Sequence, residues 1–132
     1  MSFCTAVNCM DGRVQLPVIQ YLRKRFNVKY VDTISEPGPN AILAKRTDIS
    51  VVESINRRVR ISIEKHESVG IAVVGHFDCA GNPADQGQQT EHTRAAVRHL
   101  HEMFTGIPVI GLWVNEAGEV SEIGDYVAGE QV

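Results

Sequence analysis

Two short segments of this chain carry residue types and spacings that could do chemistry: Cys9-Met10-Asp11-Gly12-Arg13 and Gly75-His76-Phe77-Asp78-Cys79. Each follows an apolar run that reads as a buried strand. Together they offer two thiols and one imidazole, a set that zinc accepts. Three protein ligands leave a fourth coordination position open for water, which separates a catalytic zinc site from a closed structural one. Cys9, His76 and Cys79 are therefore the candidate metal ligands. His76 and Cys79 stand close enough in the chain for one turn to aim both at one ion. Zinc lowers the pKa of a bound water from ~9 toward ~7 and so yields hydroxide near neutral pH.

Asp11 and Arg13 then acquire roles. A carboxylate beside the metal can accept a hydrogen bond from a bound hydroxide and so orient its lone pair toward substrate, or it can ligate the metal and close the site. Arg13 would hold Asp11 ionised through paired hydrogen bonds. Taken singly, Asp11 reads as a turn former and Arg13 as a surface charge. At alternate positions after Cys9, the functional reading is the stronger. A phosphatase-like cradle from Cys9 to Arg13 is too short to wrap phosphate, and it leaves His76 and Cys79 unexplained. Neither Gly-x-Gly-x-x-Gly nor Gly-x-x-x-x-Gly-Lys-Ser/Thr occurs, so nucleotide binding has no support.

The elements that must position these residues alternate between strand and helix. Phe3 to Asn8 reads as strand one, and a helix over about 15–26 places Val18, Ile19, Leu22 and Phe26 on one face. Val28 to Ile34 reads as strand two, and Ser35 to Asn40 as a loop. Asp48 caps a helix over about 49–65 with Val52, Ile55 and Val59 inward. Val69 to Gly75 is a β-branched, continuous run, as buried parallel strands tend to be. A loop over 76–89, a helix over about 90–104 and a fourth strand from Ile107 to Val114 follow. Asn115 to Gly118 is too short for a crossover, so a last strand near Val120 to Val127 should run antiparallel. The pattern predicts one α/β domain over 1–132, three layers deep (α/β/α), its sheet mostly parallel in the order 2-1-3-4 with an antiparallel last strand. Ligands in such sheets bind beyond the carboxyl ends of strands where the order reverses. Here that point lies between strands one and three, where both motifs emerge.

Composition narrows the classes. The chain has 132 residues, 43% of them hydrophobic, and a net charge of -3. No basic stripe points to nucleic acid, and no apolar run approaches the ~20 residues of a membrane span. The start lacks the features of a secretory signal, so a cytoplasmic location is expected. Three cysteines without a Cys-x-x-Cys pair argue against disulfides and thioredoxin-like chemistry. Cys4, inside strand one, reads as a small core residue.

Cys9-x-Asp11-x-Arg13 and His76-x-x-Cys79 resemble the two zinc motifs of the β-class carbonic anhydrases. Each motif follows a strand and precedes a helix, and the order of elements resembles that family over nearly the whole chain. The resemblance implies reversible hydration of carbon dioxide to bicarbonate. Zn2+ would sit on Cys9, His76 and Cys79, with Asp11 and Arg13 as the pair that orients hydroxide. It also implies a homodimer or higher homo-oligomer. Family members carry N-terminal helices that embrace a partner, whereas this sequence starts almost at strand one. Gly12 stands where Ser is common, and Glu36 to Asn40 replaces a pocket-lining segment richer in small residues. Hydrolysis of carbonyl sulfide or carbon disulfide would use the same nucleophile, and zinc binding without catalysis is the reading from another class.

Lesser candidates complete the reading. His92, His99 and His101 could relay protons, though exposure is their simpler explanation. His66 reads as a cation on a helix C-terminus. The amides of Gly81 and Asn82 could hold bicarbonate, with a structural turn the simpler role. Asp78 reads as a loop former and Trp113 as core.

Overall fold

The computed structural model describes residues 2–124. Five strands form one sheet: β1 (Phe3–Cys9), β2 (Tyr30–Glu36), β3 (Ile71–His76), β4 (Val109–Val114) and β5 (Val120–Glu122). Four α-helices connect them: α1 (Gln15–Arg25), α2 (Pro39–Lys45), α3 (Ile49–His66) and α4 (Gln86–Met103). The sheet order is β2-β1-β3-β4-β5, with β5 the antiparallel member. This is the expected doubly covered sheet in its expected order. The last strand spans only Val120–Glu122. The part of it expected from 125 to 127 lies outside the described residues.

The three layers follow from strand alternation. Parallel strands with helices on both faces bury both faces. In β3, Ile71 and Val73 join one core with Val7, Leu43, Ile55, Val59, Val97 and Leu100 from β1, α2, α3 and α4. Their neighbours Ala72 and Val74 join the other, with Ala6, Val14, Val18, Leu22, Ile110 and Leu112. α1 therefore packs on one face, and α2, α3 and α4 on the other. Each fully buried Leu, Ile or Val contributes ~1.5–3 kcal/mol relative to exposure, so both helical layers are strongly fixed to the sheet.

Local signals set most boundaries. Asp48 caps α3, its Oδ1 accepting from the Val51 amide at 3.4 Å. Asp85 caps α4 in the same way, accepting from Gln88 N at 2.8 Å. That cap starts α4 at Gln86, ahead of the expected 90, and Gly87 is tolerated in the first turn. The sequence reading also passed over α2. Pro39 opens this helix because its fixed φ suits the first turn, and Gly38 before it takes φ +61°. A helix of seven residues is too short for its periodicity to stand out from a Pro-Gly-Pro loop. Strands two and three start two residues later than expected, at Tyr30 and Ile71. β3 runs on to His76, which therefore sits on the strand rather than in the loop.

Candidate metal centre

Both motifs reach the crevice at the carboxyl ends of β1 and β3. Cys9 is the last residue of β1 and His76 the last of β3. Cys79 follows after Phe77 and Asp78, the latter in the left-handed region at φ +50°. That local turn folds Cys79 back toward His76. Cys9 and Cys79 are each 3% exposed and His76 1%, so the donors are dry. The ligand atoms of these three residues all lie within 4.8 Å of one another. They are the one such group of three donors among the described residues.

The donor set fits zinc. Two thiolates at ~2.3 Å from a tetrahedral ion stand ~3.8 Å apart; Cys9 Sγ and Cys79 Sγ are separated by 3.8 Å. Neither His76 ring nitrogen, both buried, has a hydrogen-bond partner. Buried polar atoms are nearly always partnered, and an imidazole left without one beside two sulfurs matches a ligand set. Asp11 lies outside this cluster, so the group offers three donors.

Electrostatics favour ionised sulfur at one position. Burial pushes the Cys9 thiol up, but the adjacent His76 imidazole and the backbone amides of Gly38 and Asp11 outweigh it and bring it to about 7. Burial would lower His76, yet the Cys9 sulfur raises it. Cys79 is raised by burial and then by the Cys9 charge, with the amides of Asn82 and Gly81 acting against the rise. Gly81 also packs against the β2–α2 loop: a Cβ there would meet Pro37 C at 2.4 Å.

Asp11 and Arg13 form the expected pair at the lip of the crevice. Arg13 Nη2 donates to Asp11 Oδ2 at 2.7 Å and Nε to Oδ1 at 3.1 Å. The Arg13 amide donates to Oδ1 at 2.8 Å. The guanidinium accordingly holds the Asp11 carboxyl at about 2. Arg13 also reaches the second motif, with Nη2 donating to the Asp78 carbonyl at 3.2 Å and its Cζ 4.6 Å from the Phe77 ring centroid.

The sequence reading missed a set of polar side chains, most of them carboxamides, around these residues. Gln15 Nε2 donates to the Cys9 and Asp11 carbonyls at 2.7 and 2.9 Å. Behind His76, Gln89, Asn40, Asn82 and Thr93 are all buried. Asn40 Nδ2 donates to Gln89 Oε1 and Thr93 Oγ1, and Asn82 Nδ2 donates to Asn40 Oδ1. Polar residues on a helix or in a loop usually face solvent, so composition gave no signal for them. Burial is visible only once α2 and α4 are docked.

The remaining histidines lie outside the metal cluster. His92 Nδ1 lies 3.0 Å from Asn82 Nδ2, and burial and then Lys45 lower its pKa. His99 Nε2 lies 3.1 Å from Asn56 Oδ1. His101 is a half-buried residue of α4 whose Nδ1 has no hydrogen-bond partner. His66 ends α3 as expected, but its ring binds Asp32 at 2.6 Å and stacks on Phe3. Cys4 is fully buried and pushed up to about 12, by burial and then by Asp32. Trp113 is buried in β4.

The fold and this crevice define a class, and comparison with known structures gives it a name. A β-carbonic anhydrase of Trichomonas vaginalis, isoform I, aligns over 96% of this chain and 83% of its own, with a TM-score of 0.62 at 19% identity. One of the tetrameric β-carbonic anhydrases of Sordaria macrospora aligns over 93% and 80%, with a TM-score of 0.63 at 13% identity. A carbonic anhydrase from Glaciozyma antarctica aligns over 92% and 81%, with a TM-score of 0.59 at 15% identity. The fold is therefore that of the β-carbonic anhydrases. A sequence search of curated proteins gives no match. Residues 1–124 match the family model described as "Putative carbonic anhydrase", and the chain belongs to that family.

Proposed function

We propose that this protein is a zinc-dependent lyase that hydrates carbon dioxide reversibly to bicarbonate. The observation that carries the reading is the cluster of Cys9, His76 and Cys79, three buried donors spaced as a zinc ligand set and including an imidazole without partners. In this reading Cys9, His76 and Cys79 would hold Zn2+. Zinc, when bound, supplies a Lewis acid that brings a coordinated water into the range of deprotonation at neutral pH.

The chain supplies orientation. Asp11, held ionised by Arg13, can only accept hydrogen bonds. It takes the O–H of the attacking water and thereby aims that oxygen's lone pair at the carbon of carbon dioxide. Arg13 is engaged at both Asp11 oxygens, so the carboxylate cannot swing toward the metal without breaking charge-assisted bonds. That favours the orienting role of Asp11 over ligation.

Homo-oligomerisation belongs to the same reading, since structural relatives include proteins titled tetrameric. So does a single domain over 1–132. Three free cysteines, two of them ligands, suit a reducing compartment such as the cytoplasm. No helix among the described residues is long and apolar enough to cross a membrane.

Elemental analysis of purified protein and stopped-flow hydration test the proposal together. One zinc per chain with catalysed hydration is expected. One zinc per chain with no rate above background would remove the enzyme and leave a metal-binding protein.

A further inference from the structure

β1 and β3 pair over Thr5–Val7 and Ile71–Val73, and nowhere else. Both strands continue, to Cys9 and His76, without pairing each other. The crevice opens where their ladder stops. The phase of the ladders shows what the two ligand residues have lost. Thr5 N–H donates toward β3, to Gly70, and Met10 N–H donates toward β2, to Glu36. Cys9 is in phase with Thr5, so its peptide groups face β3. Ile71 and Phe77 donate toward β4, to Pro108 and Val114. His76 is out of phase with them, so its N–H and C=O face β1. In an unbroken parallel sheet these groups would join one ladder.

Side-chain carboxamides take over instead. Cys9 N–H donates to Asn8 Oδ1 at 2.8 Å, and Gln15 Nε2 donates to the Cys9 carbonyl at 2.7 Å. On the other lip a single residue does both jobs. His76 N–H donates to Gln89 Oε1 at 3.3 Å, and Gln89 Nε2 donates to the His76 carbonyl at 2.8 Å. The same Nε2 lies 3.2 Å from the Asn82 carbonyl and 3.4 Å from that of Ala84, in the loop after Cys79. Gln89 is 1% exposed.

We propose that Gln89 is the positioning residue of the metal centre: its carboxamide replaces the departed β1 peptide, fixes His76 at the strand end and ties the Cys79 loop to it. The inference rests on the zinc reading above and adds a residue to it. An isolated strand end would let the imidazole drift from the two sulfurs. A peptide-like group on a rigid helix holds it while leaving the crevice open for substrate.

The test is metal binding, read by chelator competition for Zn2+ and by the ligand-field spectrum of the Co2+ form, with thermal unfolding measured alongside. Gln89→Met is nearly isosteric and removes both bonds. It should weaken Zn2+ binding roughly 10–100-fold, the usual effect of losing such a support, and change the Co2+ bands. Thr93→Val cuts the same buried cluster at Asn40 without touching His76, and should lower Tm with affinity unchanged. Gln89→Met with parental affinity and spectrum, whatever its Tm, overturns the proposal. So does an equal loss of affinity in Thr93→Val, which would mark general loosening. If Gln89→Met does not fold, Gln89→Asn withdraws the amide by one methylene, keeps its polarity and carries the same expectations. An unsubstituted chain that binds neither metal would overturn the zinc reading itself, and this inference with it.

Discussion

Arg13 grips Asp11 at both carboxylate oxygens, although neither residue is deeply buried: their side chains are 49% and 19% exposed. The pair therefore works by geometry more than by desolvation, with a bidentate fork fixing where the carboxylate points. Asp11→Asn keeps the shape and removes the charge. It should retain one zinc per chain and lose roughly 100-fold in hydration rate, the scale of removing one preorganised hydrogen-bond partner at a reacting oxygen. An unaltered rate would refute the orienting role. Because Asp11 is held at about 2, below its ordinary 3.8, the pair's contribution to stability is complete above pH 3.8. It disappears as pH falls through about 2, so Asp11 does not set an acid limb of activity near neutrality.

The three cysteines should separate cleanly. Cys79→Ser removes a sulfur from the 3.8 Å pair and should lose most bound zinc. Cys4→Ala removes a fully buried thiol outside the metal cluster. It should keep zinc and cost stability on the order of 1 kcal/mol, as small core truncations do. Elemental analysis of both variants decides the matter. One zinc per chain in Cys79→Ser, or zinc loss in Cys4→Ala of intact fold, would contradict the ligand assignment.

How far the sequence was legible depended on how local the signal was. Val69 to Gly75 announced a buried strand because every residue is apolar or small, and β3 overlaps that run from Ile71 and extends one residue beyond it to His76. Cys9, Asp11 and Arg13 announced chemistry through spacing, and topology carried them to His76 and Cys79. What stayed hidden is non-local. Asn40 looked like the end of a loop, yet it is buried because α2 docks on α4. Gln89 looked like a polar residue before a helix, yet it completes the hydrogen bonds of a strand end. Asn82 looked like turn material, and its amide acts on the Cys79 sulfur. Asn40 depends on partners about 50 residues away, and Gln89 and Asn82 on how a strand end and its following loop fold back on themselves, which residue type and spacing do not announce.

The loops that cradle the sulfurs touch backbone to backbone, so glycine is required on both sides. Gly38 sits at φ +61°, and a Cβ there would meet Gly81 C at 2.7 Å. Left-handed backbone alone costs a side-chain-bearing residue ~1–2 kcal/mol, and the contact would force the two loops apart. Gly38→Ala should therefore destabilise by at least ~2 kcal/mol and weaken zinc binding, since the Gly38 amide acts on Cys9. Gly12→Ala, with nothing within 4 Å of its added carbon, should leave both properties within error. Denaturant unfolding and chelator competition on the two variants check this. Equal behaviour of the pair would show that the close approach carries no weight.

The edge of the sheet offers a pH test away from the metal. Glu122 on β5 accepts from Tyr21 Oη and from Arg25 Nε, each at 2.7 Å, and so pins the last strand to α1. Burial would raise the Glu122 carboxyl, but Tyr21 and Arg25 outweigh it and lower it below its ordinary 4.5. Tyr21 is correspondingly pushed up to about 12, by burial and then by Glu122. A depressed carboxylate stabilises the fold above its unfolded pKa, and that contribution is lost as pH falls through the folded value. Glu122→Gln should thus be ~1 kcal/mol less stable than the parent at pH 7. The gap should close in acid, below pH 4.5. Urea unfolding of both proteins across that range measures it. A gap that persists unchanged at low pH would mean that shape, not charge, makes the latch.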